Sequence, residues 1–140
     1  MTVKAPQPPA RRNPWIWAAA AYAAIILVLS VIPVPEGPAV PYLDKAVHLC
    51  EYLLFAWLLV GALRAAGLAE REYGRLAWIY ATSYGLLIEM LQALIPWRSA
   101  DLWDAAANAL GAALGVWIGR RIPRQRQSPM IKSQSPNNHQ

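Results

Sequence analysis

Ten side chains between residues 44 and 108 carry the groups that could do chemistry: Asp44, Lys45, His48, Glu51, Glu89, Gln92, Arg98, Asp101, Asp104 and Asn108. Carboxylates and an imidazole move protons or ligate divalent cations, lysine and arginine meet anions, and side-chain amides bridge donors to acceptors. At about 100° per residue, Asp44, His48, Glu51 and Phe55 share one helical stripe. Thr82, Gly85, Glu89, Gln92 and Pro96 form a second stripe. Asp101, Asp104, Asn108, Gly115 and Gly119 form a third, with Gly111 at its edge.

The elements that position these stripes follow from composition. The chain has 140 residues, of which 56% are hydrophobic and 15% charged, whereas a soluble domain carries about 25% charged. Mean hydropathy is +0.24 although both ends are polar. Four apolar segments stand out, running roughly 15–32, 46–63, 76–95 and 102–118. At ~1.5 Å per residue, each is long enough to reach across a ~30 Å hydrocarbon core. A soluble bundle would need polar outer faces that these segments lack. The first has a basic flank (Lys4, Arg11, Arg12) but is followed by Ser30-Val-Ile-Pro33 rather than a small-residue cleavage motif, so it reads as a retained helix. Pro33, Pro35, Pro38 and Pro41 end it; Gly67 lies in a polar link with Arg64, Glu70, Arg71, Glu72 and Arg75; Pro96 closes the third segment. Short links make antiparallel neighbours. The expectation is an all-α, four-helix transmembrane bundle, antiparallel and up-down, over residues 15–122. A disordered arm (1–14) and tail (123–140) flank it.

Eleven of the thirteen lysines and arginines lie in the N-terminal arm, the middle link and the C-terminal tail; only Lys45 and Arg98 lie in the other two links. The positive-inside rule then predicts cytoplasmic N and C termini. Trp15, Trp17, Tyr73, Trp78 and Trp117 fall at the inner interface; Tyr42, Trp97 and Trp103 fall at the outer one. The net charge of +5 and pI near 9.7 are thus a topology signal. The basic residues are dispersed and no base-reading motif accompanies them, which argues against a nucleic-acid partner. The single cysteine, Cys50, excludes an internal disulfide and a multi-cysteine zinc site, and it points away from the polar stripe as a small hydrophobe.

Under this topology all ten polar residues lie at the extracytoplasmic end. An ionisable group facing lipid costs ~2.5–3.5 kcal/mol near the midplane, so each stripe should turn inward and the three should share a pocket. Glu89 is the deepest acid and should be either protonated or paired, with Arg98 or His48 as candidate partners. Each residue also has a structural reading. Asp101 can cap the fourth helix, Asp104 suits its positive end, and Asp44 can cap the second. Gln92 and Asn108 can be interhelical glue, Lys45 can snorkel, and His48 and Glu51 can pair locally. Gly111, Gly115 and Gly119 read as helix packing. None of these explains so many ionisable groups at one depth.

The pattern Asp44-Lys45-x-x-His48-x-x-Glu51-Tyr52-x-Leu54, followed by Glu89-x-x-Gln92-x-x-x-Pro96-x-Arg98-Ser99-x-Asp101-x-x-Asp104-x-x-x-Asn108-x-x-Gly111-x-x-x-Gly115, closely resembles the VanZ-like family. The second block is the more specific. The sequence departs at Trp97, where the family often has glycine. The resemblance implies a small multi-pass membrane protein of a prokaryotic plasma membrane, in a family whose namesake is associated with low-level resistance to the glycopeptide teicoplanin.

Three functions follow. The first is a non-catalytic cell-envelope protein binding a membrane lipid or cell-wall precursor, with Arg98, Lys45 and His48 meeting anionic head groups. The second is a membrane-embedded enzyme on an envelope lipid or peptidoglycan intermediate. Its catalytic candidates are His48 or Glu89 as base and Arg98 as oxyanion stabiliser, with Asp101 and Asp104 holding magnesium or calcium. No nucleophile motif accompanies them, and one histidine is light for zinc. The third, a proton-coupled carrier built on Glu89, has no inverted repeat to support it. The sequence specifies no cofactor and leaves a homo-oligomer open.

Overall fold

A computed structural model of the chain describes residues 13–33 and 43–122. It is all-helical: α1 (Pro14–Val31), α2 (Leu43–Ala65), α3 (Glu70–Gln92) and α4 (Leu102–Arg121), with no strand among the described residues. The expected arm and tail, Pro35, Pro38, Pro41 and Tyr42 lie outside the described residues.

Each helix boundary has a local cause. Pro14 occupies the first turn of α1, where its missing N–H costs nothing, and the Asn13 side chain accepts from the Trp15 N–H at 3.1 Å. The Asn13 amide also donates to the Ala62 carbonyl at 3.0 Å, tying the start of α1 to the end of α2. Gly67 ends α2 at φ +90°, a conformation that favours glycine. Its N–H reaches the Arg64 carbonyl and the Leu68 N–H reaches the Leu63 carbonyl, which satisfies the last turn. The link from α2 to α3 is shorter than expected. Glu70, Arg71, Glu72 and Arg75 lie inside α3, with both glutamates in its first turn where the helix dipole favours them. α3 ends at Gln92, four residues before Pro96, and Pro96 sits in the turn that follows.

Side-chain contacts fix the helix directions. The start of α1 meets the end of α2 through Asn13 and Ala62. Tyr84 donates to the Ala23 carbonyl and Gln92 to the Ser30 carbonyl, so α1 and α3 run parallel. Gly111, Gly115 and Gly119 pack in order on Leu49, Leu53 and Val60, so α2 and α4 run parallel. Consecutive helices therefore alternate in direction, as short links require. The middle of the bundle is filled by Tyr52, Phe55, Ala56, Val60, Ala77, Ala81 and Ala112, with Tyr22, Phe55 and Tyr84 stacking between helices.

Two helices, α1 and α2, are long and apolar enough to cross a membrane. The closest interface joins α2 and α4. A Cβ on Gly111 would fall on the Leu49 carbonyl, and one on Gly115 on the Leu53 carbonyl. These obstacles are backbone, which cannot rotate aside. Gly111→Leu should therefore separate α2 from α4, costing ~3 kcal/mol or more. Ala106→Leu, on the exposed face of the same helix, should leave stability unchanged. Thermal unfolding of the purified protein in detergent checks the pair.

Candidate functional site

Because α2 and α4 are parallel, their N-termini lie side by side and present two positive dipole ends at one end of the bundle. Acids collect there. Asp101 is the N-cap of α4, accepting from the Trp103 N–H at 2.9 Å, and Asp104 lies in the first turn. Asp44 lies in the first turn of α2 and is itself helical, so it is not a cap. Lys45 projects into this group. Its Nζ donates to Asp44 Oδ2 at 2.8 Å, to Asp101 Oδ2 at 3.0 Å and to Asp104 Oδ1 at 3.0 Å. The Trp103 N–H first, and then Lys45, hold the Asp101 carboxyl below the ordinary carboxylate range.

Below this exposed layer lies a second, buried one. His48, one turn beyond Asp44, brings Nε2 to 3.7 Å from Asp104 Oδ2. Glu89, on the last turns of α3, is only 7% exposed. Its Oε2 accepts from the Asp101 N–H at 3.2 Å, and its Oε1 has no hydrogen-bond partner among the described residues. One ligand atom each from His48, Glu89 and Asp104 lie within 4.8 Å of one another. These three can share a proton or hold a cation. One turn deeper, Tyr52 Oη and both amide atoms of Asn108 are buried and also lack partners among the described residues, as does Thr82 Oγ1 two turns before Glu89.

The ten expected site residues thus divide. Asp44, Lys45, His48, Glu89, Asp101 and Asp104 converge, and Asn108 lies directly beneath Asp104. Glu51 is half-buried and makes no hydrogen bond or ion pair among the described residues. Gln92 and Arg98 go elsewhere. Arg98 Nη2 donates to the Leu29 carbonyl at 2.7 Å and the Ile32 carbonyl at 3.1 Å; Gln92 donates to the Ser30 carbonyl at 3.3 Å. Trp97 completes the set by donating to the Val31 carbonyl at 3.1 Å. A helix leaves its last carbonyls without internal partners, and α3 with its following turn serves those of α1 one by one. The Arg98 charge also suits the negative end of α1. Its hydrogen bonds go to α1 rather than to Glu89, which differs from the partner expected in sequence. Lys45, fully engaged by carboxylates, likewise has little left for an anion. Spacing shows where a side chain starts on its helix, but an arginine is long enough to reach either neighbour.

Gly111, Gly115 and Gly119 pack helices as expected, and Cys50 is exposed on the outside of α2. At the opposite end of the bundle, Arg64 spans the carbonyls of Gly119 and Ile122 and lies over the Tyr73 ring, which closes the C-terminus of α4. A wide groove of about 330 Å³ between α3 and α4 is lined there by Arg75, Trp78 and Arg120.

An alternating bundle of four helices, with an acid-rich cluster at one end and two helices apolar enough to span a bilayer, defines a small helical protein that fits a membrane setting. The family model described as VanZ/LLP1 matches residues 10–122, and the chain belongs to that family. No curated protein and no solved structure matches it.

The lowered Asp101 carboxyl sets a pH dependence. Its contribution to stability is fully present above the unfolded value of about 3.9 and is lost as pH falls through the lower folded value. Asp101→Asn keeps a capping oxygen but removes the charge. Unfolding midpoints measured from pH 6 downward should therefore fall more steeply below about pH 4 in the wild type than in Asp101→Asn.

Proposed function

We propose that this VanZ/LLP1 protein is a multi-pass protein of the prokaryotic plasma membrane. In this reading it crosses the bilayer four times with both termini in the cytoplasm. Its acid-rich end faces outward and receives the polar head of an envelope lipid or cell-wall precursor, and occupancy of the site modulates susceptibility to glycopeptides such as teicoplanin.

The observation that carries this reading is a bundle that buries charged and amide groups among its core residues while exposing large apolar side chains on its outer surface. Buried positions include Glu89, Gln92, Asp104 and Asn108, while Ile79, Leu86, Leu87 and Met90 of α3 and Leu110, Leu114, Trp117 and Ile118 of α4 are exposed. Water would oppose both halves of that arrangement, whereas a lipid surround favours both. This extends the membrane reading to α3 and α4, whose interior polar groups lower their average hydropathy. The two-sided distribution of Lys and Arg orients the bundle. The exposed carboxylate oxygens and the buried, uncommitted Glu89 Oε1 are acceptors. They suit the hydroxyls, amides and ammonium groups that envelope lipids and precursors present.

The convergence of His48, Glu89 and Asp104 favours a second reading, a membrane-embedded enzyme on the same class of molecule, in which His48 or Glu89 moves the proton. Turnover of envelope lipids by the purified protein would separate it from binding alone.

Two experiments test the main reading. In a Cys50→Ala background, cysteines placed at positions 44 and 99 should both be labelled by an impermeant thiol reagent added outside intact cells. Labelling of one from outside and the other only after lysis would break the topology. In cells whose glycopeptide susceptibility depends on the protein, Glu89→Gln and Asp104→Asn should each restore the susceptibility of cells lacking it. Arg98→Ala should act differently, by lowering the amount of folded protein. Full activity of both carboxylate variants at equal protein levels refutes the pocket.

A further inference from the structure

Glu89 is the one acid in the cluster with no obvious source of compensation. Asp44, Asp101 and Asp104 each hold Lys45 and lie at a helix N-terminus, where the dipole favours negative charge. Glu89 lies near the C-terminus of α3, where the dipole opposes it. It is more than nine-tenths buried and receives a single backbone N–H on Oε2, while Oε1 is buried without a partner among the described residues. A carboxylate so placed is costly unless a cation or a proton meets it.

Asp104 gives Oδ1 to Lys45 and turns Oδ2 toward His48 Nε2 at 3.7 Å, so this oxygen also has no close cation of fixed charge. The Nδ1 of His48 is buried and unpartnered among the described residues. Three different helices thus bring one nitrogen and two carboxylate oxygens within 4.8 Å of one another. A tetrahedral ion with bonds of about 2.0–2.2 Å holds its ligand atoms about 3.4 Å apart. The His48–Asp104 pair, at 3.7 Å, is already close to that spacing, and the other pairs lie within 4.8 Å.

We propose that His48, Glu89 and Asp104 bind one divalent cation of the zinc or manganese class. The imidazole nitrogen selects against calcium and magnesium, which prefer all-oxygen shells. Three protein ligands leave at least one position for an oxygen of the bound head group. A cation there would let an acid-rich end accept the phosphate or carboxylate oxygens that envelope molecules carry. The inference deepens the pocket reading above and rests on it for the identity of that outside ligand, but not for the ion itself.

The test uses the full chain in detergent micelles, purified without a histidine tag in the Cys50→Ala background so that neither thiol nor tag contributes. Titration with Zn²⁺ or Mn²⁺ alone, followed calorimetrically, should show one saturable site per chain. His48→Asn, Glu89→Gln and Asp104→Asn should each weaken it by at least ~tenfold, while Glu70→Gln, in the exposed first turn of α3, should not. Cobalt substitution supplies a readout that partial unfolding cannot imitate: the wild type should give the visible absorption of a low-symmetry imidazole-ligated ion, and His48→Asn should lose it. No saturable binding by the wild type, or binding of equal strength in Glu89→Gln, overturns the site. If the ion fails to bind yet Glu89→Gln still abolishes the susceptibility effect in cells, the pocket stands and the metal falls. If the ion binds and the variants lose it without changing susceptibility, the metal stands and the pocket falls.

Discussion

The close approach of α2 and α4 is the constraint on which the rest depends. Three glycines one turn apart remove the side chains that would hold the two backbones at ordinary distance, and the Leu49 and Leu53 carbonyls occupy the space. In a lipid surround there is little hydrophobic force between helices, so dense packing of this kind is a main source of association. It also sets the axial register. Running in parallel, the two helices bring both N-termini to one end, and the first turns of each then supply Asp44, Lys45, His48, Asp101 and Asp104 to a single volume. Antiparallel packing of the same two helices would have put Lys45 at the far end from Asp104.

Around this pair, α1 and α3 act as a second layer with a different fastening. The end of α1 is fixed by Gln92, Trp97 and Arg98, each donating to a carbonyl that the helix itself cannot satisfy. Its beginning is fixed by Asn13 on Ala62. Trp97 therefore has a specific use here: its indole N–H is a donor that reaches the Val31 carbonyl. The turn after α3 belongs to α1's anchorage, and the chemistry of the site rests on residues to either side of that turn.

The two layers give the buried polar groups different surroundings. Near the open end, each acid has a lysine, a backbone N–H or a helix terminus. Deeper, His48, Tyr52, Thr82, Glu89 and Asn108 carry buried atoms without partners among the described residues. Unsatisfied polar atoms are uncommon in well-packed interiors. A row of them on three facing helices concentrates unmet hydrogen-bonding capacity in the interior beside the cluster.

Much of the architecture could be read from the residues in order. Apolar runs of sufficient length, with proline and glycine at their ends and short links between them, gave four alternating helices, because these are local properties of the chain. Helical periodicity also put Glu89 and Gln92 on one face of α3 and Asp104 and Asn108 on one face of α4, and those four are buried. The division of the polar residues was not legible. Arg98 shares a depth, and Gln92 a stripe, with groups that enter the cluster, yet both face α1, because long side chains choose among neighbouring helices and that choice depends on interhelical distance. The polar start of α3 was hidden for a related reason: Glu70 and Glu72 look like loop residues until the helix dipole gives them a place. Sequence alone determined which groups are present, at what depth and on which helical face. Tertiary packing decided which of them meet, because the glycine-mediated contact between α2 and α4 sets the few ångströms that separate an ion pair from two unrelated charges.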